Sequence, residues 1–123
     1  MNTQVVRPEG GEVLLDGMIV LKATAATGTS GAEMMIATMA PGTSTSLHMH
    51  THSEEFFFVS SGTGSVILGE CEFSIGPGDT FFIPKECLHQ LKNTDLTAPL
   101  KLVAFLDKPG LAEDFRQMHR EMR

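Results

Sequence analysis

The chain is short of cysteine, basic residues and long apolar stretches, and each shortage removes a class of protein. Its two cysteines are too few for a disulfide framework or a cysteine-rich zinc motif. Nine lysines and arginines stand against fifteen aspartates and glutamates, with no basic cluster that would attract nucleic acid or an anionic membrane surface. No apolar run has the length of a membrane-spanning helix, and the N-terminus lacks a signal-peptide layout. We therefore expect a cytoplasmic protein that binds neither nucleic acids nor membranes.

The 123 residues have the size of one domain, and their patterning predicts an all-β fold across residues 12–107. Short runs of β-forming residues are separated by Gly, Pro, Asn, Asp or Ser, which is typical of an antiparallel sandwich or barrel. The predicted strands are 12–15, 18–25, 32–40, 45–50, 55–60, 63–69, 71–75, 79–83, 88–93 and 100–107.

The pattern changes after Pro109-Gly110, where apolar residues recur at helical spacing among charged ones. This predicts a short amphipathic helix over about 110–122, with an apolar stripe that packs on the barrel or on a second subunit. A barrel this small also exposes edge strands. We therefore expect a homodimer.

Two short stretches carry the residues with metal-binding chemistry. In a strand, His48 and His50 would point the same way, roughly 7 Å apart, which suits two ligands of one ion. Glu55 opens the apolar run 55–59, where a carboxylate is costly unless a cation meets it. His89 begins a later strand, beyond the turn at 76–79. Imidazole and carboxylate ligands favour a divalent transition metal but do not choose among Fe, Mn, Ni, Zn and Cu.

The spacing of these residues resembles the paired motifs of the cupin superfamily. The stretches read Gly42-x5-His48-Met49-His50-x4-Glu55-x6-Gly62 and Gly78-x5-Pro84-Lys85-Glu86-x2-His89-x3-Asn93. The resemblance implies an antiparallel double-stranded β-helix, or jelly-roll barrel. It also implies one metal ion held by His48, His50, Glu55 and His89.

Several details of the two motifs leave alternatives open. His52 and Glu54 lie beside the expected ligands and are alternative ligands themselves. Glu86 stands where the second motif usually has glycine, so this turn either avoids a positive φ or tolerates strain. Asn93 is expected to secure the barrel through hydrogen bonds rather than to touch the metal.

The resemblance places strands 32–40 and 100–107 beside the metal, which implies a mostly apolar cavity. We expect Met35, Met39 and Phe57 to contact the substrate. All four arginines lie near the chain ends, so no barrel strand offers a guanidinium to clamp a phosphate. The sequence therefore favours a neutral or singly charged small organic molecule.

Resemblance to small single-domain cupins favours an enzyme, namely a mononuclear non-haem oxygenase similar to cupin dioxygenases. Glu55 is the candidate catalytic residue, as a general base, with Glu54 as its rival. Tyrosine is absent from the sequence, which disfavours cupin subfamilies that use it as acid, base or crosslinked partner. The alternatives are a non-redox cupin, such as an isomerase, decarboxylase or sugar-acid lyase, and a non-catalytic small-molecule binding protein.

Overall fold

The computed structural model describes residues 4–51 and 53–122, which form nine β-strands and one α-helix. This confirms the prediction of an antiparallel all-β fold with a short C-terminal helix. Two 3-10 turns, Leu15–Gly17 and Ala25–Thr27, flank the second strand. The regular elements are β1 Glu12–Leu14, β2 Ile19–Ala23, β3 Glu33–Met39, β4 Glu55–Ser61, β5 Gly64–Leu68, β6 Cys71–Ile75, β7 Thr80–Ile83, β8 His89–Lys92, β9 Leu100–Leu106 and α1 Leu111–Glu121.

The strands form two antiparallel sheets that share one core. The larger sheet has the order β1-β2-β3-β9-β4-β7, and the smaller has the order β6-β5-β8. Alternate residues of β4 and β9 point inward, so that Val59 and Leu102 are fully buried. Val66 and Leu91 complete the core from the smaller sheet.

The predicted strand 45–50 is wrong as a continuous element. The segment runs beside β8 but pairs with it only at two isolated bridges, Ser44 with Lys92 and His48 with His89. Between these bridges the Leu91 amide donates to the Thr45 hydroxyl, at 3.0 Å, instead of to a backbone carbonyl. A side-chain hydroxyl that takes a ladder hydrogen bond interrupts the strand.

The turn before His89 adopts the strained alternative. Glu86 has φ 64°, in the left-handed region that usually costs a residue with a Cβ roughly 1 kcal/mol or more. Its amide donates to the His50 carbonyl at 2.7 Å, which helps to hold this conformation. The strained turn thus ties the two metal-binding stretches together.

Asn93 and Gly62 fix the neighbouring loops. The side-chain amide group of Asn93 donates to the carbonyls of Met39, Ala40 and Ala98, as expected of a hydrogen-bonding residue. Gly62 has φ 85°, and a Cβ there would lie 2.3 Å from the Pro99 carbonyl oxygen. Only glycine fits this approach of two chain segments.

Helix α1 packs on the β-structure through polar contacts at both ends. The Ala112 amide donates to the buried Glu33 carboxylate at 3.1 Å. The Leu15 amide donates to His119 Nδ1 at 2.9 Å, close to the C-terminal end of the helix. Between them, Arg116 pairs with Glu12 at 2.9 Å. Among the described residues, no helix is long and apolar enough to cross a membrane.

Candidate metal centre

Three histidines meet at one end of the sandwich. His48 and His50 come from the irregular segment that follows β3, and His89 is the first residue of β8. One ring nitrogen from each lies within 4.8 Å of the other two. The bridge between His48 and His89 fixes the two backbones, with amide-to-carbonyl distances of 2.9 and 2.7 Å.

Glu55 brings a carboxylate to the same point. Its Oε1 lies 3.3 Å from His50 Nε2 and 3.5 Å from His89 Nε2. This oxygen is buried and accepts no hydrogen bond from any residue that the structure describes. A buried carboxylate oxygen without a donor is costly unless it meets a cation. Three imidazoles and one carboxylate suit a divalent transition metal, so the residues fit the expected ion.

Backbone carbonyls set the tautomers of two of the histidines. His48 Nδ1 lies 2.6 Å from the Ser46 carbonyl oxygen, and His89 Nδ1 lies 2.9 Å from that of Cys87. Because a carbonyl only accepts, Nδ1 carries the proton in each neutral ring and Nε2 keeps its lone pair for a metal. No sequence pattern indicated these two roles, because a backbone atom performs each of them.

Burial controls the protonation of the cluster in the metal-free protein. It raises the pKa of Glu55 to about 7. It also lowers the pKa of His89, and proximity to His48 lowers it further, while the hydrogen bond to Cys87 opposes the shift. Both shifts favour the neutral form of each group. A divalent cation would reverse the effect on Glu55 by stabilising its carboxylate.

A cavity of about 450 Å³ opens from the candidate metal centre into the sandwich. His48, His50 and Glu55 form part of its polar end, together with Ser44, Thr45 and Ser46. Its remaining walls are apolar, and no lysine or arginine of the described chain lines it. The apolar lining residues are Met18, Ile19, Met35, Ala37, Met39, Met49, Phe57, Leu91, Phe115 and Met118.

The cavity contains the three expected substrate contacts and two residues that the sequence analysis missed. Met35, Met39 and Phe57 line it. Phe115 and Met118 reach it from α1. The apolar stripe of the helix was visible in the sequence, but its position over the cavity depends on long-range contacts.

The structure separates the alternative ligand Glu54 from the cluster. Glu54 lines a surface depression with Ser53, Lys85 and Asp107, away from the histidines. Adjacent residues of an extended chain point to opposite sides, so Glu54 and Glu55 cannot both face the cavity. The alternative ligand His52 lies outside the described residues.

Comparisons with known proteins agree with the observed fold. A sequence model described as "Cupin domain" matches residues 35–106, which is more than half of the chain. A mannose-1-phosphate guanylyltransferase from Salmonella muenchen is 39% identical over 77 residues, covering 63% of this chain and 16% of the enzyme. Auxin-binding protein T85 from Nicotiana tabacum is 33% identical over 87 residues, covering 63% of this chain and 46% of that protein.

A solved structure shows the same fold. A Klebsiella pneumoniae protein with a double-stranded β-helix domain aligns with a TM-score of 0.63 and 20% identity, covering 85% of this chain and 84% of that one. The chain spans less than half of the length of the two curated relatives, so their activities are not carried over with the family. The match over residues 35–106 and the shared fold identify the chain as a member of the cupin family.

Proposed function

We propose that the chain binds one divalent transition metal ion through His48, His50, Glu55 and His89 and acts as a mononuclear non-haem oxygenase on a small organic molecule. The buried Glu55 oxygen carries this proposal: it lies beside three histidines at the polar end of an apolar cavity and accepts no hydrogen bond from any described residue. A set of four protein ligands leaves two positions free on an octahedral ion. An iron(II) ion bound there would supply the redox chemistry with dioxygen.

The cavity indicates the class of substrate. Apolar walls exclude water and suit nonpolar bulk, while the polar end suits one or two oxygen atoms. A multiply charged molecule would need fixed cationic donors, and the lining residues provide none. We therefore expect an enolisable ketone, a flavonol-like molecule or a monocarboxylate.

Glu55 is positioned to handle a proton in this reaction. Its carboxylate lines the cavity, within reach of a molecule held at the polar end. A base whose pKa lies near the working pH is the most effective at taking a proton from a substrate. Burial raises the pKa of Glu55 to about 7 in the metal-free protein, so the carboxylate would act as this base after it leaves the ion.

The first test is metal content, measured on protein that was purified without a chelating tag. We expect about one ion per chain, and loss of the ion in His50→Ala and His89→Ala. His119→Gln serves as the matched control, because His119 binds the Leu15 amide rather than the cluster. Full occupancy in both alanine variants would contradict the ligand assignment.

The second test addresses the chemistry. Protein loaded anaerobically with iron(II) is mixed with a panel of diketones, flavonols, thiols and sugar phosphates, and the binding of each compound is measured. Oxygenated buffer is then added, and oxygen uptake is recorded. We expect uptake with an uncharged or singly charged substrate and none with sugar phosphates. Preferential binding of sugar phosphates would contradict the proposed substrate class.

Binding without turnover is a second candidate function. The similarity to an auxin-binding protein and the mainly apolar cavity favour it. The same experiment separates the two functions, because a binding protein would take up a ligand from the panel without consuming oxygen in the presence of any metal.

A further inference from the structure

The outer surface of the larger sheet is apolar where a solvent-facing sheet is usually polar. Strand pairing aligns Met34, Phe105, Phe56 and Phe82 in one row across β3, β9, β4 and β7. The next row is Ile36, Val103, Phe58 and Thr80. No charged residue occurs in these two rows, which we call the phenylalanine face.

The aromatic rings of this face are exposed and close to one another. Its four phenylalanines keep between 40% and 53% of their surface accessible, and Met34 keeps 41%. The Phe56 ring lies 6.2 Å from both the Phe82 and the Phe105 rings, centroid to centroid. Contiguous exposed apolar surface of this kind marks an interaction site rather than ordinary surface variation.

The face has enough area for the centre of a protein interface. At about 200 Å² for a whole phenylalanine side chain, the exposed parts of the four rings amount to about 350 Å². Met34 and the second row raise the apolar area to about 500 Å². A standard interface buries about 800 Å² per partner, of which about 65% is apolar in homodimers.

We propose that a second copy of this chain packs against the phenylalanine face in a two-fold homodimer. A face without charges can pair with itself and leave no ion buried and unpaired. The chain carries a net charge of −6, so two copies approach best where acidic residues are absent. Charges of both signs flank the face along the chain of β9, with exposed Lys101 two residues before Val103 and exposed Asp107 two residues after Phe105.

Helix α1 is not available to cover this face. Its residues Leu111 and Ala112 are buried, and Phe115 packs against the core on the cavity side. Edge strands and the apolar stripe of the helix are the features from which the sequence predicts a homodimer. The proposed contact lies on the sheet face.

The first experiment measures mass by light scattering over a range of concentrations. We expect a species of twice the 13.3 kDa chain mass that dissociates on dilution. Phe56→Glu should raise the dissociation constant about thirtyfold or more, as loss of a central aromatic anchor does. Phe73→Glu is the matched control, because Phe73 is 50% exposed on β6 of the other sheet and should leave the dimer intact.

A monomeric wild-type protein at high micromolar concentration would overturn the proposal. A Phe56→Glu variant that keeps the wild-type circular dichroism spectrum and the wild-type dissociation constant would overturn it as well. Dissociation by Phe73→Glu to the same extent would also do so, because the effect would then not be specific to this face.

A second measurement decides the matter if Phe56→Glu fails to fold. The chain has no tryptophan or tyrosine, so Phe82→Trp introduces a single fluorophore on the face. Its emission should shift to the red on dilution through the dissociation range, whereas that of Phe73→Trp should not. An emission spectrum of Phe82→Trp that does not change on dilution would overturn the proposal. A spectrum that shifts only when phosphatidylcholine vesicles are added would also overturn it and would assign the face to lipid.

Discussion

The burial of Glu55 predicts that the metal-free protein loses stability as the pH rises. The usual pKa of this carboxyl is 4.5, and burial raises it to about 7 in the folded chain. Between these values the folded state binds more protons than the unfolded state, so the free energy of unfolding falls with increasing pH. The contribution is fully present below pH 4.5 and is lost by pH 7 and above.

The expected loss follows from the size of the shift. One pKa unit corresponds to about 1.4 kcal/mol, so the metal-free wild-type protein should lose about 3 kcal/mol between pH 4.5 and pH 8. For a chain of this length, that corresponds to a fall of roughly 10 °C in Tm. The lowered pKa of His89 acts in the opposite direction, because the folded state then binds fewer protons than the unfolded one.

A comparison with Glu55→Gln isolates the carboxylate. Glutamine keeps the shape of the side chain and does not titrate, and the effect of His89 occurs in both proteins. Urea unfolding of chelator-treated protein at pH 5 and pH 8 should show the wild type losing about 3 kcal/mol relative to the variant. Glu54→Gln is the control for loss of a neighbouring carboxylate, because Glu54 lies away from the histidines.

Two results would refute this reasoning. Wild-type and Glu55→Gln proteins with parallel pH dependence would mean that Glu55 is solvated in the folded chain. With saturating zinc, the free energy of unfolding of the wild type should rise with pH instead of falling, because the ion binds the ionised carboxylate. Failure of zinc to stabilise the wild type more at pH 8 than at pH 5 would separate Glu55 from the metal.

Three further predictions test the site and the fold. Chelation of the metal should lower Tm without unfolding the chain, because an ion at a hundredfold excess over its Kd contributes only about 2.7 kcal/mol to the free energy of unfolding. A random-coil circular dichroism spectrum of the metal-free protein would be inconsistent with a preformed site. Gly62→Ala should destabilise the protein by several kcal/mol in urea unfolding, since its Cβ would meet the Pro99 carbonyl at 2.3 Å. Gly69→Ala, with φ 63° but open space around the new Cβ, should cost only about 1 kcal/mol. If Gly62→Ala and Gly69→Ala lost equal stability, the close approach of Gly62 to Pro99 would not explain the effect. Phe115→Ala should widen the cavity and weaken substrate binding while metal content stays at the wild-type level. Loss of metal from this variant would mean that the helix is needed to hold the metal ligands in place.

Local sequence patterns were enough to predict the fold and to single out the candidate ligands. Turn residues at 76–79 and runs of β-forming residues such as those of β4 and β9 are short-range signals, and they placed the strands to within a few residues. Motif spacing favoured Glu55 over Glu54, because six residues separate Glu55 from Gly62 as in the family pattern. The interruption at 45–50 was not predictable, since it depends on a hydrogen bond between Thr45 and Leu91, 46 residues apart.

Two other features depend on tertiary structure that a sequence pattern does not contain. In the run Glu55-Phe-Phe-Phe-Val59, apolar residues occupy both sides of the strand, so alternation does not show that Phe56 and Phe58 are exposed. The stripe of α1 indicated a buried helical face without indicating what it would cover. Its position is set by contacts such as that between the Leu15 amide and His119, which are 104 residues apart.

The cavity wall combines residues inside the segment that matches the family with residues outside it. His48, His50, Glu55 and His89 all lie within the segment 35–106 that matches the family. Four residues of the cavity wall lie outside that segment, two from the β2 region and two from the helix: Met18, Ile19, Phe115 and Met118. Exchange of the C-terminal helix between related chains could therefore redesign the choice of organic ligand while the ligand set of the candidate metal centre stays the same.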